Sequence, residues 1–199
     1  MKREKLNTGI RREQIIQAAM NLIASRGFKG LSVAAIANRI GLVPSAIYRH
    51  FKSKDDVLDM ILDFIQGKLF ANFRRASKET SEPMERLQYI LKGHVQTLRE
   101  NQAIPRIIFS EDVFSGNSKR KNKVYGIING YLARLNKIIR DGQEKGQIRS
   151  DIDSKTVALM FLGTIQPGAI LWFLSDGKFD ILKHSKKNWN LFREAIRPN

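Results

Sequence analysis

The chain has 199 residues, 35 Lys and Arg against 19 Asp and Glu, and no cysteine. That length is enough for a core that needs no covalent staples, and the missing cysteine excludes disulfides and thiolate metal sites while fitting a reducing, cytoplasmic compartment. A net charge of +16 favours a polyanionic partner, either nucleic acid or an acidic membrane surface.

The charge is uneven. Residues 1–54 hold 11 Lys and Arg against Glu4 and Glu13, so more than half of the excess sits there. The chain opens with Lys2, Arg3 and Lys5 and has no early apolar run of signal-peptide type. Ile15, Ile16, Ala19, Leu22 and Ile23 put an apolar face on a helix over 11–26, closed by Gly27. Ser32 is placed to N-cap a second helix, where Val33, Ile36, Ala37 and Ile40 follow the helical period until Gly41. Pro44 suits the first turn of a third helix, and Ser53 caps a fourth carrying Val57, Leu58, Ile61, Leu62 and Ile65.

Beyond the polar stretch RRASKETSEP, the spacing of Leu87, Ile90, Leu91, His94, Val95 and Leu98 predicts a helix over 83–100. A short element follows over 104–114 and ends in the loop SGNSKRKN, whose basic KRKNK run at 119–123 reads as solvated. A helix over 120–141, a loop, a helix capped by Asp153 or Ser154, and a last helix over 182–196 complete the chain. No segment alternates as a strand would. The pattern predicts an all-α chain of about nine helices, with a helix-turn-helix DNA-binding domain at 1–54 and a second helical domain at 55–199.

The stretch GLVPSAIYRHFKSK, residues 41–54, carries the functional expectation. Ile47 and Phe51 are its apolar anchors; Pro44, Ser45, Ala46, Tyr48, Arg49 and His50 are left to face outward. Small residues at the start of such a helix let it approach base edges in a major groove. Arg49 can reach guanine or phosphate, and Tyr48 and His50 can donate to phosphate oxygens. Lys54 stands at the start of the fourth helix, where an acid is preferred, and a phosphate there would explain it.

The segment IIQAAMNLIASRGFKGLSVAAIANRIGLVPSAIYRHFKSKDDVL resembles the DNA-binding head of the TetR family of bacterial transcription regulators, above all in AIYRHFKSKDDVL at 46–58. The resemblance implies that Ser32 caps the second helix and touches phosphate, that Pro44, Ser45, Ala46 and Arg49 face bases, and that Tyr48, His50 and Lys54 grip the backbone. Two positions depart from the family: Val43 replaces a Ser or Thr cap, and Ala35 replaces an acid that would complete a capping box with Ser32.

Residues 157–174 contain no charge over 18 positions, the lower limit for a membrane span. Gln166, Pro167 and Gly168 interrupt its middle, and no basic cluster flanks it, which argues against a membrane. The resemblance supplies another burial for it, a four-helix homodimer interface built from 154–175 and 182–196, with Trp172, Phe173, Trp189 and Phe192 as anchors. Pro167 is expected to kink its helix. The resemblance also implies a pocket for a small apolar or amphipathic effector in the second domain. Candidate lining residues are Phe64, Leu91, Phe109, Phe114, Tyr125, Tyr131, Phe161 and Ile165, with His94 and Gln166 placed to orient a polar group; each also fits ordinary core. The three histidines are scattered and no catalytic, metal or cofactor motif is present, so neither enzyme activity nor a cofactor is expected. The expected function is a ligand-responsive DNA-binding regulator, a repressor that binds a palindromic operator as a homodimer. A carrier or membrane-associated protein using the apolar second domain is the alternative.

Overall fold

The computed structural model describes residues 8–114 and 117–198. Among these there is no strand. Eleven α-helical segments and one 3-10 turn follow in order: α1 (Thr8–Arg26), the turn Phe28–Gly30, α2 (Val33–Arg39), α3 (Pro44–Tyr48), α4 (Lys54–Glu79), α5 (Pro83–Glu100), α6 (Ala103–Ile108), α7 (Glu111–Phe114), α8 (Ser118–Glu144), α9 (Ser154–Gly163), α10 (Gln166–Leu174) and α11 (Ile181–Ile196). Taking α7 as a single turn and α9 with α10 as one interrupted helix leaves the expected nine. Lys2, Arg3, Lys5 and the side chain of Phe114 lie outside the described set.

Two compact units emerge, and the chain passes between them three times. The first takes residues up to 65 together with 101–121; the second takes 66–100 and 122 onward. The expected boundary at 54 coincides with the start of α4, and the first unit runs three turns further.

In the first unit, Ile15, Ile23, Ile36, Ile47, Phe51 and Ile61 are each at most 1% exposed and close a small core. Each such side chain removed from water contributes about 1.5–3 kcal/mol. Helix α6 packs on α1, and Arg106 Nη1 donates to the last-turn carbonyls of Ile23 and Ala24 at 3.2 and 3.4 Å. Gly27 has φ +69°, a backbone conformation that favours glycine, and a Cβ there would stand 2.7 Å from the Arg106 guanidinium, which would have to shift.

Arg120 corrects the expectation of a solvated KRKNK run. Its side chain is 3% exposed, with Nε 2.9 Å from Asp59 and Nη2 3.0 Å from Asp55. The run reads as uniformly basic in sequence because both carboxylates lie some sixty residues away in sequence, on α4.

In the second unit, α5 packs on α11, and α10 on α9 and α11. Pro167 breaks the apolar stretch as expected: it lacks an N–H and its ring crowds the preceding turn, so α9 stops at Gly163 and α10 starts at Gln166. A carbonyl freed at the break, that of Thr164, is satisfied by Asn188 Nδ2 of α11 at 2.8 Å.

The interface anchors need correction. Trp172, Trp189 and Phe192 are 7%, 5% and 3% exposed, and Phe192 stacks edge-on to Phe161 at 5.4 Å. They are core of the second unit: Trp172 takes the inner face of a stretch apolar on both faces, and Trp189 and Phe192 lie on the single apolar face of the amphipathic α11. Phe173 is half-buried. The apolar side chains left outward are Leu159, Met160, Ile170, Leu171 and Leu174, with Leu182 and Leu191 on α11.

Candidate nucleic-acid interface

Helix α2 starts at Ser32, whose Oγ accepts from Ala35 N at 3.0 Å with Ser32 in an extended conformation. It ends in a Schellman turn, in which Leu42 N donates to Ala37 O at 2.8 Å and Gly41 N to Asn38 O at 3.2 Å. Gly41 sits at φ +65° to make that turn. Val43 then leads into α3 without a side-chain cap, and Pro44 at the first helical position costs no hydrogen bond there. The cap missing in sequence is missing in the structure.

Five residues of helix bury little, so α3 is held by two side chains. Ile47 is fully buried and Phe51 nearly so. Pro44, Ser45, Tyr48 and Arg49 are exposed, with Ala46 and His50 half-buried on the same side. Tyr48 is 55% exposed and makes no ring contact among the described residues. The structure thus brings together, on one short helix and its exit, the residues expected to meet bases and phosphates.

The beginning of α4 is fixed by two side-chain to backbone bonds. Ser53 Oγ accepts from Asp56 N at 3.1 Å, and Asp56 Oδ2 accepts from Lys52 N at 2.7 Å. Lys54, expected on phosphate, has a second use: its Nζ donates to Phe28 O at 2.8 Å and ties α4 to the turn after α1. An ammonium has three donors, so one such bond leaves capacity for a phosphate.

Burial lowers the pKa of His50, and the nearby guanidinium groups of Arg12, Arg11 and Arg49 lower it further. These cations include two residues missed in the sequence, Arg11 and Arg12, on the first turns of α1. Their signal was the run IRREQ at 10–14, which reads as the polar side of an amphipathic helix until the fold sets it near α3. An approaching phosphate would be attracted by all three arginines and would favour protonated His50.

The expected effector residues scatter. His94 and Tyr131 do meet, with His94 Nδ1 2.9 Å from the Tyr131 hydroxyl and Phe73 edge-on to the Tyr131 ring at 5.0 Å. Burial pushes the His94 pKa down to about 4 and raises that of Tyr131. Leu91, Phe161 and Ile165 are core of the second unit, and Gln166 is half-buried at the start of α10. Phe64, half-buried, belongs to the first unit. Phe109 and Tyr125 are 51% and 68% exposed. Phe109 caps the end of α6, and Tyr125 falls one residue off the buried stripe Val124, Ile127, Tyr131, Leu135.

Residues 15–61 match the family model of bacterial regulatory proteins of the tetR family, and residues 64–195 match that of the YsiA-like protein C-terminal region. The fatty acid metabolism regulator protein of Bacillus subtilis is 28% identical over 183 residues, 92% of this chain and 94% of that protein. The nucleoid occlusion factor SlmA of Vibrio vulnificus is 23% identical over 188 residues, 94% of this chain and 96% of that one. The fatty acid degradation regulator FadR from Bacillus halodurans superposes with a TM-score of 0.80 at 25% identity, covering 94% of this chain and 96% of that one. FadR from Bacillus subtilis, solved in complex with stearoyl-CoA, gives 0.76 at 27%, covering 93% and 99%. With both its head and its second domain matched, the chain belongs to the TetR family of bacterial regulators.

Proposed function

We propose that the protein is a cytoplasmic transcriptional repressor that binds a palindromic operator as a homodimer and is released by a long-chain acyl thioester of coenzyme A. The observation that carries the DNA-binding part is the outward set Pro44, Ser45, Tyr48 and Arg49 on a helix anchored by Ile47 and Phe51. Two such helices read half-sites about 34–36 Å apart, one turn of DNA. The apolar stripe Ile170, Leu171 and Leu174, at helical spacing and 38–70% exposed, supports burial against a second copy. The same stripe accounts for the membrane-like composition of 154–174.

The effector class is supported by what the relatives bind or regulate: FadR from Bacillus subtilis was solved in complex with stearoyl-CoA, and FadR from Bacillus halodurans is named for fatty acid degradation. To release DNA, the effector must bind the DNA-incompetent state more tightly, by about ten thousandfold for near-complete reversal. No step of this reading is catalytic.

Selection from a random duplex pool, followed by anisotropy on the enriched duplex with palmitoyl-CoA and free palmitate, tests it. An inverted repeat is expected, with affinity lost on Arg49→Ala at unchanged melting temperature, and release by the thioester. Enrichment of no sequence refutes operator recognition; an operator complex indifferent to acyl-CoA refutes the effector class.

A further inference from the structure

The second unit carries a groove that the regulator reading does not use. It lies along the later turns of α4 and α8 beside the first turns of α5, has a volume of about 750 Å³, and has Phe73 and Ile138 in its wall. Arg74, Arg86, Arg134, Lys137 and Arg140 line it, against two carboxylates, Asp141 and Glu144. Asp141 is shared: it lies 3.7 Å from Arg86 Nη1 and 3.6 Å from Lys145 Nζ. Among the described residues, Arg74, Lys137 and Arg140 have no carboxylate within ion-pair distance.

The cations are not merely a solvated face. Arg134 is held in place, its Nη1 on Gly130 O at 2.8 Å and its guanidinium 3.9 Å over the Phe70 ring. Arg86 donates through Nη2 to Ser77 Oγ at 2.7 Å while its buried Nε has no partner. Asn136 Oδ1, also on this wall, is buried and unpaired as well. A protein that leaves a guanidinium N–H and an amide oxygen unmatched beside uncompensated arginines has paid a desolvation cost that a ligand can recover.

We propose that this groove is a binding site for an organic phosphate of the nucleotide class. Guanidinium groups match phosphate oxygens in pairs, and an arginine face also stacks on a planar base. The volume falls in the range of small-molecule sites, about 300–1,000 Å³. Inorganic phosphate would answer the arginines alone; a hydroxyl or amino donor of a nucleotide would also answer Asn136. A concave, partly apolar wall favours such a ligand over a duplex, which presents a convex backbone. The phosphates can belong to the coenzyme A end of the effector, in which case the assignment rests on the effector class proposed above, or to a separate nucleotide.

The test is titration calorimetry of the full chain with coenzyme A, ADP, pyrophosphate and palmitoyl-CoA. The variant Arg74→Gln/Arg140→Gln removes two groove cations; Lys92→Gln/Arg99→Gln, on exposed positions of α5, removes the same charge elsewhere. At least one nucleotide-class ligand is expected to bind the parent, compete with pyrophosphate, and weaken by at least about tenfold in the groove variant and little in the control. Groove-dependent binding of ADP as tight as that of coenzyme A identifies a separate nucleotide site; groove dependence confined to the coenzyme A compounds identifies the effector's phosphate end. The proposal is overturned if no ligand is weakened selectively by the groove variant, or if that variant instead loses operator affinity, which would make the groove a nucleic-acid contact. Acyl-CoA that releases DNA equally from parent and groove variant sinks the groove and leaves the effector class standing. Groove-dependent ADP binding without any release by acyl-CoA does the reverse.

Discussion

His94 offers a quantitative test of the second unit. Its side chain is enclosed, with one polar contact, the Tyr131 hydroxyl at 2.9 Å from Nδ1. Burial holds its pKa at about 4 instead of the ordinary 6.5. The native state therefore keeps the ring neutral, while the unfolded chain takes up a proton below pH 6.5. The sign follows: His94 costs no stability above pH 6.5, and stability is lost as pH falls from 6.5 toward 4. The loss attributable to this group is roughly 2 kcal/mol at pH 5 and about 3 kcal/mol at pH 4. The chain's two tryptophans, Trp172 and Trp189, both lie in this unit, so urea unfolding followed by their fluorescence reports on it. His94→Leu should be less stable than the parent by about 1–3 kcal/mol at pH 7, because Tyr131 is left unpaired, and His94→Leu/Tyr131→Phe should recover part of that. On acidification the parent carries an extra loss that the variant lacks, so the gap between them should close by pH 5. A gap that stays constant from pH 7 to pH 5 would show that the buried ring accepts a proton without penalty, and the reasoning from desolvation would fail.

Arg120→Ala should destabilise the first unit. Asp55 and Asp59 are 68% and 45% exposed, so solvent screens the orphaned carboxylates, and the cost is about 2 kcal/mol, below the 3–5 kcal/mol of a fully buried pair. Unchanged thermal unfolding of Arg120→Ala would refute a structural role for the clamp. Ser32→Ala should cost about 1 kcal/mol of stability through loss of the cap to Ala35. Ser32→Asp keeps the cap but sets a carboxylate where a phosphate is expected, so it should retain the melting temperature and lose operator affinity; equal affinity would remove Ser32 from the interface. His50, its pKa lowered by burial and by Arg12, Arg11 and Arg49, should take up a proton when phosphate arrives. Operator binding measured by anisotropy should therefore tighten as pH falls from 7.5 to 6, an effect absent in His50→Gln; identical pH profiles would place His50 away from phosphate.

The head was legible because its information is local. Ser32, Gly41, Pro44 and Ser53 each act within a few residues of themselves through caps and turns, and the bonds Ser32–Ala35, Leu42–Ala37 and Ser53–Asp56 form where the sequence places them. Ile47 and Phe51 sit one helical turn apart, so their burial and the exposure of Tyr48 and Arg49 follow from periodicity alone. The break before Pro167 is local in the same way. What failed depended on distant partners. Arg120 looks solvated until α4 brings two carboxylates to it. Trp172 looks like an interface residue because a stretch apolar on both faces does not say which face meets the rest of its own chain. Phe109 and Tyr125 are aromatic by composition and surface residues by position, and a phase error of one residue along α8 decides the second.

The same distinction bears on how an effector could reach the DNA-binding head. The chain crosses between the two units at 65–66, 100–101 and 121–122. The first crossing falls inside α4 and the third inside α8. On the head side of each crossing the helix is pinned by charge. The first turns of α4 carry Lys54, bonded to Phe28 O, and Asp55 and Asp59, which hold Arg120 from the first turn of α8. Arg106, in the segment between the second and third crossings, holds the end of α1. Within the first unit, a displacement of the first turn of α8 must therefore either carry the start of α4 with Arg120 or break two ion pairs of a nearly buried guanidinium. The Lys54–Phe28 bond ties that same start of α4 to the turn that precedes α2 and α3.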